Sequence, residues 1–170
     1  MLYRPYTSQD FDALYAIEKL CFEPIYRFSR GLMRRLVRRP NAVTWIAEEN
    51  GQLAGFAIAE FSSHGCKSGV PSDGALSMGR KSQVTAYIQT IEVLPTARGK
   101  GVGGEILVRV EGSARLAGAA LVWLHVEAGN AAAIRLYAAQ DYFCEGRQEN
   151  YYPLGRAALI YVKRLTPETS

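Results

Sequence analysis

The segment from Val84 to Ala117 constrains the fold more than any other part of the chain. Val84 to Leu94 is rich in β-branched and apolar residues, reads as a strand and ends at Pro95. From about Gly101 to Ala117, the residues Gly103, Ile106, Leu107, Val110, Ala114 and Ala117 recur at helical spacing, so a helix follows. Between the two lies Arg98-Gly99-Lys100-Gly101-Val102-Gly103-Gly104. A strand, a glycine-rich turn and a helix in that order make an anion cradle. Glycines let the backbone approach a ligand with no Cβ in the way, and the first N–H groups of a helix are unpaired donors at its positive end. Such a turn holds a pyrophosphate, and Arg98 and Lys100 add positive charge. The plainer alternative is a tight turn whose glycines serve helix packing.

Strands and helices alternate on either side. Leu2 to Tyr6 is a short strand, after which Thr7 or Ser8 caps a helix with Phe11, Leu14, Ile17 and Cys21 on one face, ended by Pro24. A second helix, Ser29 to Arg39, sets Leu32, Met33, Leu36 and Val37 against Arg34, Arg35, Arg38 and Arg39. Val43 to Glu49 and Leu53 to Phe61 flank Asn50-Gly51, the dipeptide that accepts positive φ at both central positions of a hairpin turn. Leu121 to Glu127 is a strand and Asn130 to Gln140 a helix; strand, helix, strand from Val84 onward implies a right-handed crossover between parallel neighbours. Tyr142 to Tyr152 and Ala157 to Leu165 are the last two strands. The expected fold is α/β, a mixed sheet of about seven strands with four helices. At 170 residues, 48% of them hydrophobic, the chain is the size of one domain, 1–170, interrupted only by the irregular, glycine-rich stretch 62–82.

Several classes fall away on composition. Charged residues at 21% and aromatics at 11% exclude wholesale disorder and fibrous repeats. No apolar run approaches the roughly 20 residues of a membrane span, and MLYRPYTSQDFD lacks the zones of a signal peptide, so a cytoplasmic protein without membrane association is expected. Cys21, Cys66 and Cys144 are scattered with no CxxC pair, and His64 with Cys66 supplies too few ligands, so neither a disulfide framework nor a metal site is expected. The net charge of +4 favours an anionic ligand without arguing for nucleic acid, and the arginines from Arg27 to Arg39 read as a solvated helix face. Gly99 to Gly104 also satisfies the dinucleotide pattern GxGxxG, with Glu127 where a ribose-binding acid would stand. In that fold, however, the glycines follow the strand at once and open a repeated βα series, whereas here Pro95 to Arg98 intervene. Gly74 to Lys81 resembles a P-loop only superficially, because Arg80 occupies the lysine position.

Arg98-Gly99-Lys100-Gly101-Val102-Gly103 resembles the acetyl-coenzyme A signature of the GNAT superfamily of N-acetyltransferases, Q/R-x-x-G-x-G/A. Asn130-Ala131-Ala132-Ala133-Ile134-Arg135-Leu136-Tyr137 is similar to the second family motif, N-x-x-A-x-x-L-Y, and the order of elements from Leu2 to Leu165 is that of the superfamily. Within it, Tyr87-Ile88-Gln89-Thr90, Trp123-Leu124-His125-Val126 and Asn150-Tyr151-Tyr152-Pro153 look most like enzymes that acetylate protein N-termini, the ribosomal-protein acetyltransferases included. One departure stands out. The bacterial ribosomal-protein enzymes usually carry Glu at the position of His125, while a eukaryotic N-terminal branch carries His there and Tyr at the position of Tyr87.

The resemblance implies a site. Acetyl-CoA would be the co-substrate, held by Arg98, Gly99, Lys100, Gly101, Val102 and Gly103, by Asn130, Ala133 and Tyr137, and by the backbone near Ile91 and Val93, where an N–H would also meet the oxyanion of the transfer. Phe22, Pro24, Ile25 and Tyr26, with Tyr151 and Tyr152, stand where the resembled enzymes grip a peptide, so the acceptor would be a protein or peptide N-terminus. An α-amino group with a pKa of roughly 8 needs less help to become neutral than a lysine near 10.4, so His125 suffices as base, with Tyr87 sharing or orienting the relay. Strand alternation puts His125 on one face with Trp123, reaching toward Tyr87. Tyr137 would protonate the departing thiolate. Glu92 is the rival base, its plainer reading a solvated or structural strand-end carboxylate. Each of the others also has a plain reading: a buried strand histidine, core aromatics at Tyr87 and Tyr137, a helix N-cap at Asn130. Two further functions would use the same coenzyme turn, acetylation of a small-molecule amine such as a polyamine or drug, and a non-catalytic acyl-CoA-binding module.

Overall fold

A computed structural model describes residues 1–63 and 83–166; the stretch 64–82, which holds most of the irregular segment expected from the sequence, lies outside the described residues. The strands are β1 (Leu2–Pro5), β2 (Ala42–Glu49), β3 (Gln52–Ser62), β4 (Val84–Val93), β5 (Ala119–Glu127), β6 (Phe143–Tyr152) and β7 (Arg156–Arg164). The helices are α1 (Phe11–Cys21), α2 (Arg30–Val37), α3 (Val102–Leu116) and α4 (Ala131–Ala139). The strands form a mixed sheet in the order β1-β2-β3-β4-β5-β7-β6. The chain divides into two compact units, one of Met1–Glu60 with Ile88–Ser113, the other of Phe61–Tyr87 with Ala114–Ser170.

In the first unit the hairpin forms where Asn50 and Gly51 take φ of 52° and 77°, both positive, as a two-residue turn matched to strand twist requires. β3 is buried from Ala54 to Ala59, so both of its faces are covered. The two faces are built differently. Phe56 and Ile58 join Ile46 of β2 and Phe11, Leu14, Ile17, Met33 and Leu36 of α1 and α2 in one apolar core. Gly55 and Ala57 point the other way, in register with Ala47 and Trp45. That small-residue face lies under α3: Trp45 Nε1 donates to Ser113 Oγ at 3.0 Å, and the Arg109 guanidinium sits over the Tyr3 ring at 5.6 Å.

The entry to α1 is pinned by charge. Asp10 closes a short 3-10 turn, Ser8–Asp10, and accepts from the Thr7 backbone N–H at 2.7 Å. Arg4 of β1 meets it with two parallel bonds of 2.8 Å and reaches Glu48 of β2 at 2.8 Å with its Nε. This bidentate geometry is the strong form of the ion pair, and it holds the Asp10 carboxyl down to about 2. A depressed carboxylate stabilises the fold at pH values above its unfolded pKa, and that contribution disappears as pH falls through the folded value. Allowing for the screening that the partly exposed Arg4 permits, Asp10→Asn is expected to cost about 1–2 kcal/mol at neutral pH. Denaturant melts should show the gap to the unsubstituted chain closing in acid; a gap independent of pH would assign the loss to packing.

The second unit centres on the antiparallel trio β5, β7 and β6, with His125 opposite Ile160 and Leu124 opposite Tyr161. One face carries Trp123, Ile160 and Val162, with Tyr87 and Leu121 packed against them. The opposite face meets α4, where Tyr137 packs on Tyr142 and Tyr161 with ring centroids 5.8 and 6.1 Å apart. β6 is the outer strand and is exposed along most of its length. Glu145, Arg147 and Glu149 charge that edge, a usual guard against unwanted strand pairing. Among the described residues no helix is long and apolar enough to cross a membrane, and no three of His, Cys, Asp and Glu gather as metal ligands.

Candidate active site

The glycine-rich turn of the first unit has the geometry an anion needs. After β4 a 3-10 turn, Pro95–Ala97, leads to Arg98, and Gly99 and Gly101 then take φ of 73° and 78°. These are left-handed values that cost a side-chain-bearing residue strain. A Cβ added at either glycine would meet nothing within 4 Å, so the turn faces open space. The first helical bond of α3 is Glu105 N–H to Gly101 O at 3.1 Å, which leaves the N–H groups of Val102, Gly103 and Gly104 as the helix's unpaired donors. The residues therefore fit a pyrophosphate. Arg98 is partly engaged elsewhere: its Nε donates to Val93 O at 2.9 Å and its Nη2 lies 3.8 Å from Cys21 Sγ, so it fastens the turn to the end of β4. Lys100 is 3.9 Å from Glu49 and largely exposed, a pairing worth little.

The 22–29 segment between α1 and α2, with Phe22, Pro24, Ile25 and Tyr26, is tied down by groups the sequence reading did not single out. Tyr26 N–H donates to Glu23 O at 3.0 Å. Arg27 Nη2 caps α1 by donating to Lys19 O and Phe22 O, each at 2.9 Å. Phe28 N–H donates to the buried Glu18 carboxylate at 2.6 Å. Glu18 was detectable in principle, because it sits four residues after Leu14, inside the apolar stripe of α1. Glu92, the rival base, is also in this unit and is 3% exposed, not solvated at a strand end. Its Oε1 accepts from Thr90 Oγ1 at 3.0 Å. Burial and the facing Glu18 carboxyl push its pKa far above the usual carboxylate range. A carboxyl that holds its proton at neutral pH is a poor base.

The second unit assembles His125 with three aromatic residues. Tyr87 Oη lies 3.0 Å from His125 Nδ1. The Trp123 ring meets the imidazole edge-on at 5.4 Å and the Tyr87 ring at 4.5 Å. Tyr151 stacks on the imidazole at 4.2 Å with an interplanar angle of 13°, and Tyr152 stands against Tyr151 at 4.9 Å. Burial lowers the His125 pKa below its ordinary value, and a hydrogen bond with the Gln148 side chain opposes the shift, so the environment favours the neutral imidazole. Tyr87 Oη and Nδ1 share a hydrogen bond whose direction follows the imidazole tautomer; in the tautomer where Nδ1 carries the proton, the lone pair is on the buried Nε2, and the Gln148 side chain also hydrogen-bonds the ring.

Tyr137 is not brought into this cluster. It lies on the opposite face of β5 and β7, fully buried, and burial raises its pKa above the usual phenol value, so it keeps its proton. Asn130 caps α4 by accepting from Ala133 N–H at 3.1 Å, the structural role its sequence position allowed. Glu127 accepts from Gly129 N–H at 3.1 Å.

Residues 11–142 match the acetyltransferase (GNAT) family. The chain belongs to that family. It is accordingly an acetyl-CoA-dependent N-acetyltransferase, with acetyl-CoA as co-substrate. No curated protein matches the acetyltransferase in sequence. Solved structures share its fold at low identity. An Arabidopsis thaliana NAA60 in complex with a bisubstrate analogue is 22% identical, with a TM-score of 0.81 over 98% of this chain and 99% of the other. The Escherichia coli ribosomal-protein-S18-alanine N-acetyltransferase is 24% identical, with a TM-score of 0.75 over 99% and 97%. The Brucella melitensis ribosomal-protein-alanine N-acetyltransferase is 23% identical, with a TM-score of 0.73 over 97% and 100%. The acetyltransferase thus shares its fold with this plant protein and with two bacterial enzymes named for ribosomal-protein acetylation.

Proposed function

We propose that this acetyltransferase acts on the N-terminal α-amino group of a protein or peptide, by direct attack with His125 as the base. The observation that carries the reading is the His125 environment: a half-buried imidazole whose Nδ1 is held by Tyr87 and whose face is covered by Tyr151. A base with a pKa lowered below about 6.5 is matched to an amine near 8 and poorly matched to a lysine near 10.4. The names of the structurally similar enzymes support the same acceptor class.

Acetyl-CoA supplies the activated acetyl thioester. The N–H groups at the start of α3 and the Gly99 and Gly101 backbone hold its pyrophosphate, and Asn130 and Ala133 lie on the second family motif that serves the coenzyme arm. His125 Nε2 takes the proton of the acceptor amine while Tyr87 fixes the ring. Tyr137, on the face of β5 and β7 opposite His125, has no part in this step. Tyr151 and Tyr152, which stand against the His125 imidazole, are the acceptor-gripping residues of this reading.

A panel of peptides differing in their first two residues, assayed with acetyl-CoA beside spermidine, an aminoglycoside and an Nα-blocked lysine, tests it. The best peptide is expected to exceed every other amine in kcat/KM by at least about tenfold, the share of unprotonated α-amine over lysine at neutral pH being larger still. A polyamine or aminoglycoside that outruns all peptides would make the enzyme a small-molecule acetylase.

A further inference from the structure

Two acidic side chains in the first unit are buried against each other. Glu18 of α1 is 1% exposed and Glu92 of β4 is 3% exposed. Cys21, one turn on from Glu18, has its Sγ 3.7 Å from the carbonyl of Val93, the neighbour of Glu92, so this turn of α1 lies against β4, and the Glu18 carboxyl raises the Glu92 pKa through a hydrogen bond. Their outer oxygens are accounted for: Glu18 Oε1 accepts from Phe28 N–H at 2.6 Å, and Glu92 Oε1 accepts from Thr90 Oγ1 at 3.0 Å. The remaining two, Glu18 Oε2 and Glu92 Oε2, are buried and find no other partner among the described residues. Two carboxylates cannot face each other in a dry interior, so one proton must lie between them.

Phe28 belongs to the segment whose Phe22 to Tyr26 stand where the resembled enzymes grip a peptide. We infer that the Glu18–Glu92 pair is a one-proton latch: while the proton is shared, Glu18 stays in place and fastens the 22–29 segment through Phe28 N–H, and when the proton leaves, the two like charges separate and the segment is released. Glu18 and Glu92 are positioning residues in this scheme. The inference rests on the acceptor reading above only for the kinetic consequence; the latch itself is a statement about Phe28.

The other titratable groups facing the pair are few. Cys21 of α1 feels both Glu92 and Glu18, and its thiol is pushed up by burial and by Glu92. Arg98, after β4, lies against Cys21 Sγ at 3.8 Å. Cys21 is therefore the group whose titration must be separated from that of the latch.

The experiment uses the full chain. The amide proton of Phe28 is followed by NMR between about pH 8 and pH 11, spanning the value of about 10 to which the Glu92 carboxyl is pushed, in the unsubstituted protein, Glu92→Gln and Cys21→Ser. The short bond predicts a downfield, exchange-protected amide that loses both properties as pH rises. Glu92→Gln replaces the shared proton with an amide N–H that does not titrate, so the Phe28 signal should hold throughout; Cys21→Ser should behave as the unsubstituted protein does. In parallel, the ratio of the acceptor KM of the unsubstituted enzyme to that of Glu92→Gln should rise about tenfold over the same range while the ratio for acetyl-CoA stays flat. Comparing the two enzymes at each pH cancels the ionisation of the acceptor amine. A Phe28 amide that does not respond to pH, that responds equally in Glu92→Gln, or whose response vanishes in Cys21→Ser overturns the latch. If Phe28 responds as stated and no peptide is acetylated at any pH, the acceptor reading falls and the latch stands.

Discussion

Gly101→Val is expected to abolish measurable coenzyme A binding. Two effects add. Gly101 sits at φ 78°, where a β-branched residue is a genuine outlier, so the turn must change its course to accept valine. The new side chain would also project into the open space over the turn, since nothing lies within 4 Å of its Cβ position, and that is the space a pyrophosphate must enter to reach the N–H groups of α3. Because no protein atom is displaced, the variant should fold, with near-native circular dichroism and a melting temperature lowered by a few degrees at most, as about 1–2 kcal/mol of backbone strain implies. Calorimetric titration with coenzyme A should show no heat at concentrations that saturate the unsubstituted enzyme, and Gly101→Ala should fall between the two. Unchanged affinity in Gly101→Val would place the anion site elsewhere.

His125→Ala should lower kcat by about 10²- to 10⁴-fold, the usual loss on removing a general base, and leave coenzyme affinity nearly intact. The sign of its pH dependence follows from the environment. Burial favours neutral imidazole, so the acid limb of kcat/KM should fall below the pH of an ordinary histidine. The limb should disappear in His125→Ala once the ionisation of the acceptor amine has been measured separately. Tyr87→Phe removes the hydroxyl 3.0 Å from Nδ1 and is expected to produce a smaller loss and to shift the limb rather than erase it. Full activity in His125→Ala would move the proton to water or to Glu92. The burial of Glu92 and its contact with Glu18 argue against the second destination.

The elements were legible where periodicity and turn chemistry agreed. Asn50-Gly51 placed the hairpin because only a turn with positive φ at both residues suits that dipeptide. The stripe Phe11, Leu14, Ile17, Cys21 marked α1, and the turn into α3 was readable because glycine spacing and helix polarity concern a few adjacent residues. The period of two along β5 put Trp123 and His125 on one face, and their rings do meet. What stayed hidden depends on residues far apart in the chain. Glu18 and Glu92 are separated by α2 and two strands, and neither carries a local sign that it faces another carboxyl. Tyr137 could be assigned to a helix face but not to a side of the sheet, because that depends on how β5, β7 and α4 stack. The small residues on one face of β3 looked like ordinary strand composition until Trp45 and Tyr3 were seen to meet α3.

That last feature bears on how such a protein can change over time. On one side of β3, Phe56, Ile58 and Ile46 meet α1 and α2 through large, deformable side chains, which can be exchanged for others of similar volume at modest cost. On the other, Gly55 has the Glu92 carbonyl oxygen 2.6 Å from where a Cβ would be, and Ala57 is fully buried on the same face. The helices that lead into the 22–29 segment therefore rest on the forgiving side, and the helix that begins at the coenzyme turn rests on the unforgiving one. A lineage built this way can explore new acceptors by drift in its first forty residues, while β4, the strand that leads to the coenzyme turn, is held still where Gly55 leaves no room for a methyl group beside Glu92.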